Sequence, residues 1–123
     1  MSVAPLHTHA FFEEVLEAGF VWTIRDETGF PTATNRSNET AMPFWSSLSR
    51  ARLIIDRLPT YRSFTPHQLS LDVFVDRWLP GLEKDNLVIG TNWSSATAIG
   101  FDFAPADVRR RLQSLRPIVR QHQ

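Results

Sequence analysis

Apolar residues along this chain recur with two alternating periods, helical and strand-like, and the switches between them mark out the predicted elements. Phe11, Phe12, Val15 and Leu16 form one stripe at helical spacing. They predict a helix over residues 8–18, with Thr8 as N-cap and Gly19 as its stop. The period then shortens to two. Phe20, Trp22 and Ile24 share one face and Val21, Thr23 and Arg25 the other, which predicts a half-buried strand. Asp26-Glu27-Thr28-Gly29 reads as a turn, a weaker strand is expected near Pro31–Thr34, and the polar run 35–40 reads as an exposed loop. Met42-Pro43-Phe44-Trp45 is a short extended apolar segment. Ser46 or Ser47 then caps a second helix that faces Leu48, Ala51, Ile54, Ile55 and Leu58 inward and ends at Pro59.

Tyr61–Pro66 reads as a connector. Ser70 opens the clearest helix, in which Leu71, Phe74, Val75, Trp78, Leu79 and Leu82 follow one face. Pro80-Gly81 is expected to kink or end that helix, because proline lacks an N–H and clashes one turn back. Leu87-Val88-Ile89-Gly90 is nearly continuous in apolar residues and predicts a central strand. Residues 94–97 are expected to turn the chain into a hairpin partner carrying Ile99, Phe101 and Phe103 on one face. Pro105 suits the first position of a last helix, Asp107 complements its dipole, Val108, Leu112 and Leu115 face inward, and Pro117 closes it.

The predicted order is α-β-β-α-α-β-β-α. Tight β-β connections favour antiparallel pairing, so the expected fold is a single two-layer α+β domain over residues 1–123. Its sheet is mostly antiparallel, helices pack on one face, and the ordered core covers about residues 8–116. The length of 123 residues fits one core, and a formal net charge of zero gives no general attraction to nucleic acid or anionic membranes. The absence of cysteine removes disulfides, thiol catalysis and thiolate metal sites. No apolar run reaches membrane-helix length, and the first residues lack the basic and apolar regions of a secretory signal, so a cytoplasmic protein is expected. In that setting the Asn-x-Ser/Thr triplets at Asn35, Asn38 and Asn92 are chance matches.

Several blocks carry a family resemblance: Val21-Trp22-Thr23-Ile24, Met42-Pro43-Phe44-Trp45-Ser46-Ser47 with Ala51 after it, Leu71-x-x-Phe74, Trp78-Leu79-Pro80-Gly81-Leu82 and Leu87-Val88-Ile89-Gly90. Across about residues 11–115 the chain resembles the bacterial family catalogued as domain of unknown function 2750. More distantly, its strand, Pro-Phe, helix rhythm is similar to small secretion-regulator and toxin-immunity domains. The resemblance implies an α+β fold and a bacterial cytosolic setting. The family brings no activity, cofactor or catalytic residue, so it implies no site.

Candidate chemistry is sparse. The sequence holds no Gly-x-Ser-x-Gly elbow, phosphate-binding glycine loop or His-Glu-x-x-His pair. His7 and His9 could supply two metal ligands where a site needs three or four, and His67 reads as a surface residue; no metal or cofactor is expected. Asp72 with Asp76, and Glu13 with Glu17, share helical faces opposite the apolar stripes, where water solvates them. Lys84 is the sole lysine and sits among charged neighbours. Residues 105–123 hold Arg109, Arg110, Arg111, Arg116 and Arg120 against Asp107, but successive helical side chains diverge by about 100°, so the three consecutive arginines make no single patch.

Aromatic residues are the richest signal, with four tryptophans and nine phenylalanines. Trp22 and Trp78 lie on apolar stripes and read as core. Trp45 and Trp93 each stand where an element gives way to a serine-containing polar turn. If they converge, with Arg25, Asn35 or Asn92 beside them, they form an amphipathic recognition surface; the other reading is packing at the edge of the core. The expected function is therefore a non-catalytic interaction or regulatory module, immunity-like in one version, binding a protein partner or itself. The alternatives are a small-molecule-binding domain or unrecognised enzyme anchored by Arg25 and Asn92, and a weak nucleic-acid binder working through the arginine-rich end.

Overall fold

The computed structural model describes residues 4–94 and 101–120, with side chains over 9–94 and 101–116. Helix α1 (Ala4–Ala18) starts one turn ahead of Thr8, so Thr8 is not its N-cap as expected. It stops at Gly19, whose left-handed φ of +79° turns the chain and whose N–H donates to the Val15 carbonyl at 2.8 Å. Strand β1 (Phe20–Arg25) follows, then the two-residue β2 (Ala33–Thr34) and β3 (Thr40–Phe44). Helix α2 (Leu48–Arg57) is capped by Ser47, whose hydroxyl accepts the Arg50 N–H. It gives way at Pro59 to a 3-10 turn (Pro59–Tyr61).

The predicted connector and the residues after it contain a strand that the sequence pattern did not reveal. Strand β4 (Thr65–Ser70) lies antiparallel to β1, with His67 opposite Thr23 and Pro66 opposite Ile24. Only Leu69 of its six residues is fully buried, so no alternation of apolar side chains announces it. It is an edge strand, where a proline is tolerated because one side of the ladder is open.

The long helical stripe forms as three continuous pieces: α3 (Leu71–Val73), a π-helical stretch (Phe74–Trp78) and α4 (Leu79–Lys84). Pro80 therefore neither ends the helix nor breaks it. In the wider register the Leu79 N–H reaches the Phe74 carbonyl, and the next donor in that register would be residue 80, which is proline. The Val75 carbonyl left over accepts a hydrogen bond at 3.3 Å from the Arg109 guanidinium. Strand β5 (Val88–Thr91), strand β6 (Phe101–Phe103) and helix α5 (Pro105–Arg120) complete the fold. Helix α5 continues through Pro117 rather than closing there. The turn expected at 94–97 lies almost wholly outside the described residues, as do Ile99, His122 and the side chains of His7 and Thr8.

Four strands run in the order β2-β3-β5-β6, with β3 and β5 parallel and the outer pairs antiparallel; β1 and β4 form a second antiparallel pair. The two groups are joined at one point. Trp22 and Trp45 exchange both backbone hydrogen bonds, at 2.8 and 2.7 Å, and the Thr23 hydroxyl donates to the Pro43 carbonyl at 2.8 Å. The fold is thus the single α+β domain with a mostly antiparallel sheet that the pattern predicts.

Alternation along the strands divides two cores. Val21, Phe44 and Ile89 face Phe11, Phe12, Val15, Phe74, Leu79, Val108 and Leu112. On that face α1, α4 and α5 form the expected helical layer. Ile24, Ala41 and Trp45 face the other way, toward Ala51 and Ile54 of α2, Tyr61 and Trp93. Helix α2 therefore adds a smaller layer on the second face. As a result β1 is buried on both sides at Val21, Thr23 and Ile24, while Phe20, expected inside, is 42% exposed at the strand end.

Gly90 marks the tightest point of the second core. A β-carbon there would stand 2.5 Å from the Trp93 indole, a ring system closed in on its other sides. Gly90→Ala is expected to lower stability by about 1–3 kcal/mol by overpacking, read as an earlier urea midpoint with tryptophan fluorescence as the probe. An unchanged midpoint would mean that Trp93 is not held against the strand.

Candidate functional site

Four of the five positions singled out from sequence, Trp45, Trp93, Asn35 and Asn92, meet at the end of β5. Just past the strand, the Asn92 N–H still donates to the Phe44 carbonyl at 2.9 Å, prolonging the parallel pairing. Asn92 then takes a left-handed φ of +50°, a conformation asparagine tolerates better than most residues, and this turns Trp93 back over Gly90. The Trp93 carbonyl accepts the Trp45 indole N–H at 2.9 Å. The Trp93 indole N–H in turn donates to Asp102 Oδ1 at 3.1 Å.

Asp102 links this knot to Asn35. Asn35 Nδ2 donates to Asp102 Oδ2 at 2.9 Å and to Glu39 Oε1 at 3.0 Å. Its Oδ1 accepts the Ser37 and Glu39 N–H groups, each at 2.9 Å, so one side chain shapes the 35–40 loop and ties it to β6. On the other side of the turn, Asn92 Oδ1 accepts the Ser46 N–H at 2.9 Å, and Asn92 Nδ2 donates to Ser46 Oγ at 3.1 Å. The Ser46 hydroxyl donates a hydrogen bond to Glu14 Oε1 at 2.7 Å. Arg50 completes the chain with a bidentate clamp on Glu14, Nε to Oε1 at 3.1 Å and Nη2 to Oε2 at 2.9 Å. The network thus fastens α1, the start of α2, and the β5 and β6 ends.

This arrangement corrects the expectation of an aromatic recognition surface. Trp45 is fully buried and Trp93 only 3% exposed. Their indole N–H groups are spent on internal acceptors, and Asn92 is buried too. Asn35 joins the cluster through Asp102, whereas Arg25 lies elsewhere. The Arg25 guanidinium sits 5.6 Å from the Phe30 ring centre, and Phe30 packs edge-on to His67 and Trp78. Sequence reasoning missed Asp102, Ser46, Glu14 and Arg50. Asp102 carried a readable signal, since it alternates with Phe101 and Phe103 and so faces away from them; the Glu14–Arg50 pair joins distant segments and carried none.

The remaining polar groups are dispersed. Asp72, Asp76, Glu13 and Glu17 are exposed, with Glu13 2.6 Å from His9 on the same helix face. Among the described residues no three His, Asp or Glu side chains converge as a metal site, and no helix is long and apolar enough to cross a membrane. The consecutive arginines of α5 diverge as helical geometry requires. Arg109 holds the Val75 carbonyl, Arg110 pairs with Asp107, and the Arg111 guanidinium covers Phe103 at 4.6 Å and Phe12 at 5.8 Å.

What reaches solvent as a coherent feature is the β6 margin. Phe101 is 40% exposed, its ring stacks on Phe103 at 6.3 Å between centroids, and Arg111 lies over Phe103. The family described as "Protein of unknown function (DUF2750)" matches residues 8–112, the stretch that holds both the buried network and this margin. The chain belongs to the DUF2750 family. No curated protein matches the sequence. A solved structure described as Anabaena Tic22 (protein transport) is similar at 15% identity, over 66% of this chain and 44% of that one, with a TM-score of 0.41. This DUF2750 chain therefore spans less than half the length of that protein, and the likeness is distant and partial.

The buried network generates two predictions for this DUF2750 domain. Asn92→Ala strands the Ser46 N–H and puts alanine, which lacks the short polar side chain that lets asparagine tolerate it, in the left-handed region, and is expected to cost about 2–4 kcal/mol by urea unfolding. Asn92→Gly keeps the turn and loses only the hydrogen bonds, so it is expected to be milder by about 1–2 kcal/mol. Equal losses would show that the turn itself is unstrained.

The Arg50 guanidinium bonded to Glu14 holds its carboxyl below the ordinary 4.5; partial burial opposes this and the Ser46 hydroxyl adds to it. A carboxylate whose folded value is depressed stabilises the fold above its unfolded value and loses that contribution as pH falls through the folded one. The stability margin of the wild type over Glu14→Gln is therefore expected to be full at neutral pH and to shrink as the pH falls below 4.5. A margin constant across that range would show that the Arg50 clamp does not discriminate charged from neutral Glu14.

Proposed function

We propose that this chain is a non-catalytic interaction or regulatory module of the bacterial cytoplasm that binds a protein partner. The observation supporting this reading is the exposed aromatic margin at β6, where Phe101 stands 40% exposed at the last strand of the sheet. A phenylalanine left half in water gains little from the fold and is suited to being covered by a partner. The polar groups best placed for chemistry support it from the other direction. Glu14, Asp102, Asn92 and Ser46 are engaged with internal partners, which suits them to holding elements together rather than acting on a substrate.

The test is affinity capture from the native host's lysate with tagged wild type and tagged Phe101→Asp, after circular dichroism has established that both fold. The expected result is one stoichiometric protein retained by the wild type and lost with the variant. Equal retention by the two, or retention of nothing, would overturn the reading.

A further inference from the structure

We propose that β6 accepts an extended, acidic segment of the partner protein as an added strand, an inference that rests on the interaction-module reading and specifies its chemistry. Strand β6 is last in the order β2-β3-β5-β6, and no described residue pairs with its outer side. An edge strand presents unpaired N–H and C=O groups, which proteins ordinarily blunt with proline, charge or extreme shortness. The other edges here are blunted: β4 carries Pro66 among polar residues, and β2 is two residues long. Strand β6, at three residues only one longer than β2, carries no proline or lysine, and the side chains that alternate onto one of its faces are aromatic rather than charged. Its one charged side chain, Asp102, is held by Trp93 and Asn35, away from the face shared by Phe101 and Phe103.

That shared face dictates what the incoming strand must carry. Its alternate side chains would lie beside the Phe101 and Phe103 rings, which favours an apolar residue, and within reach of Arg111. The Arg111 guanidinium is spread over Phe103 and forms no ion pair among the described residues, whereas Arg50 and Arg110 each hold a carboxylate. An acidic side chain can take its N–H groups while the aromatic contact stays in place. The guanidinium is therefore the complement of a partner carboxylate and repels a cationic segment.

A second copy of this chain is the poorer occupant. Antiparallel self-pairing centred on β6 would set Asp102 directly opposite its own counterpart on one face and place two Arg111 side chains on the other. Like charges directly opposite destabilise a strand pair.

The full chain is titrated with a fluorescent, end-capped peptide in which valine and glutamate alternate at every second position with threonine between them, so that both share one face of the strand, with its lysine counterpart, and with a glutamate version whose backbone amides are methylated. Saturable binding of the glutamate peptide is expected, at least about fivefold tighter than the lysine peptide. Backbone methylation should abolish it, and hydrogen exchange at Phe101–Phe103 should slow in the complex. Arg111→Gln should remove the preference for glutamate while Arg111→Lys keeps most of it; both substitutions fall at an exposed position and are checked for folding. Equal affinity for both peptides, no saturable binding, protection confined to other strands, or a dimer of the free chain closed through β6 would each overturn the proposal. A partner captured through Phe101 alongside failure of the peptide leaves the interaction module standing and removes strand addition alone. Failure of both removes the module as well.

Discussion

Two backbone hydrogen bonds between Trp22 and Trp45 hold together strands that would otherwise be separate sheets. The bridge stands where β3 ends and the chain heads for α2, so it also sets the direction in which α2 leaves. Thr23 reinforces it through the carbonyl of Pro43, a residue that can accept but not donate. Because the bridge draws β1 alongside β3, both faces of β1 become interior, and the helices must divide between them. The larger core under α1, α4 and α5 and the smaller one under α2 both follow from that junction.

The polar groups near the junction illustrate why buried hydrogen-bonding side chains come as closed sets. A buried donor without an acceptor costs free energy comparable to a lost hydrogen bond or more. The Trp45 and Trp93 indole N–H groups, the Ser46 N–H and hydroxyl, and the Asn92 amide each find a partner, and the network comes to the surface at the Glu14–Arg50 pair and at Asn35–Glu39. Aromatic bulk supplies the volume and these bonds supply the orientation, so Trp93 lies flat against Gly90 in one position. The π-helical stretch follows the same rule. Proline at 80 withdraws a donor, the helix widens by one register, and Arg109 satisfies the carbonyl left behind.

Arg109, Arg110 and Arg111 of α5, adjacent in sequence, are parted by helical geometry and drawn into three separate tasks. Arg111 ends up over the aromatic pair of β6, where cation, ring and open strand edge come together. Membership of DUF2750 is consistent with a fold whose long-separated tryptophans are structural: Trp22 and Trp45 carry the bridge, and Trp45 and Trp93 carry the knot.

The sequence by itself determined the helices, most strands, the α+β class and the family. Those features follow from local periodicity, caps and turn residues, such as Ser47 before α2, Gly19 after α1 and the stripe from Leu71 to Leu82. Strand β4 escaped because an edge strand with one buried side chain leaves no period to read. The continuation of the helix past Pro80 escaped because the compensating Arg109 stands 34 positions away in the chain. Only the tertiary structure decided what the aromatic residues do. At Trp45 and Trp93 the sequence left a recognition surface and core-edge packing both open, and distant elements bury both indoles, which donate to the Trp93 carbonyl and to Asp102. Phe101 belonged to the same apolar alternation as Phe103, and its place at the end of the sheet left it in water. Burial is set by which distant elements arrive, and no local pattern contains that information.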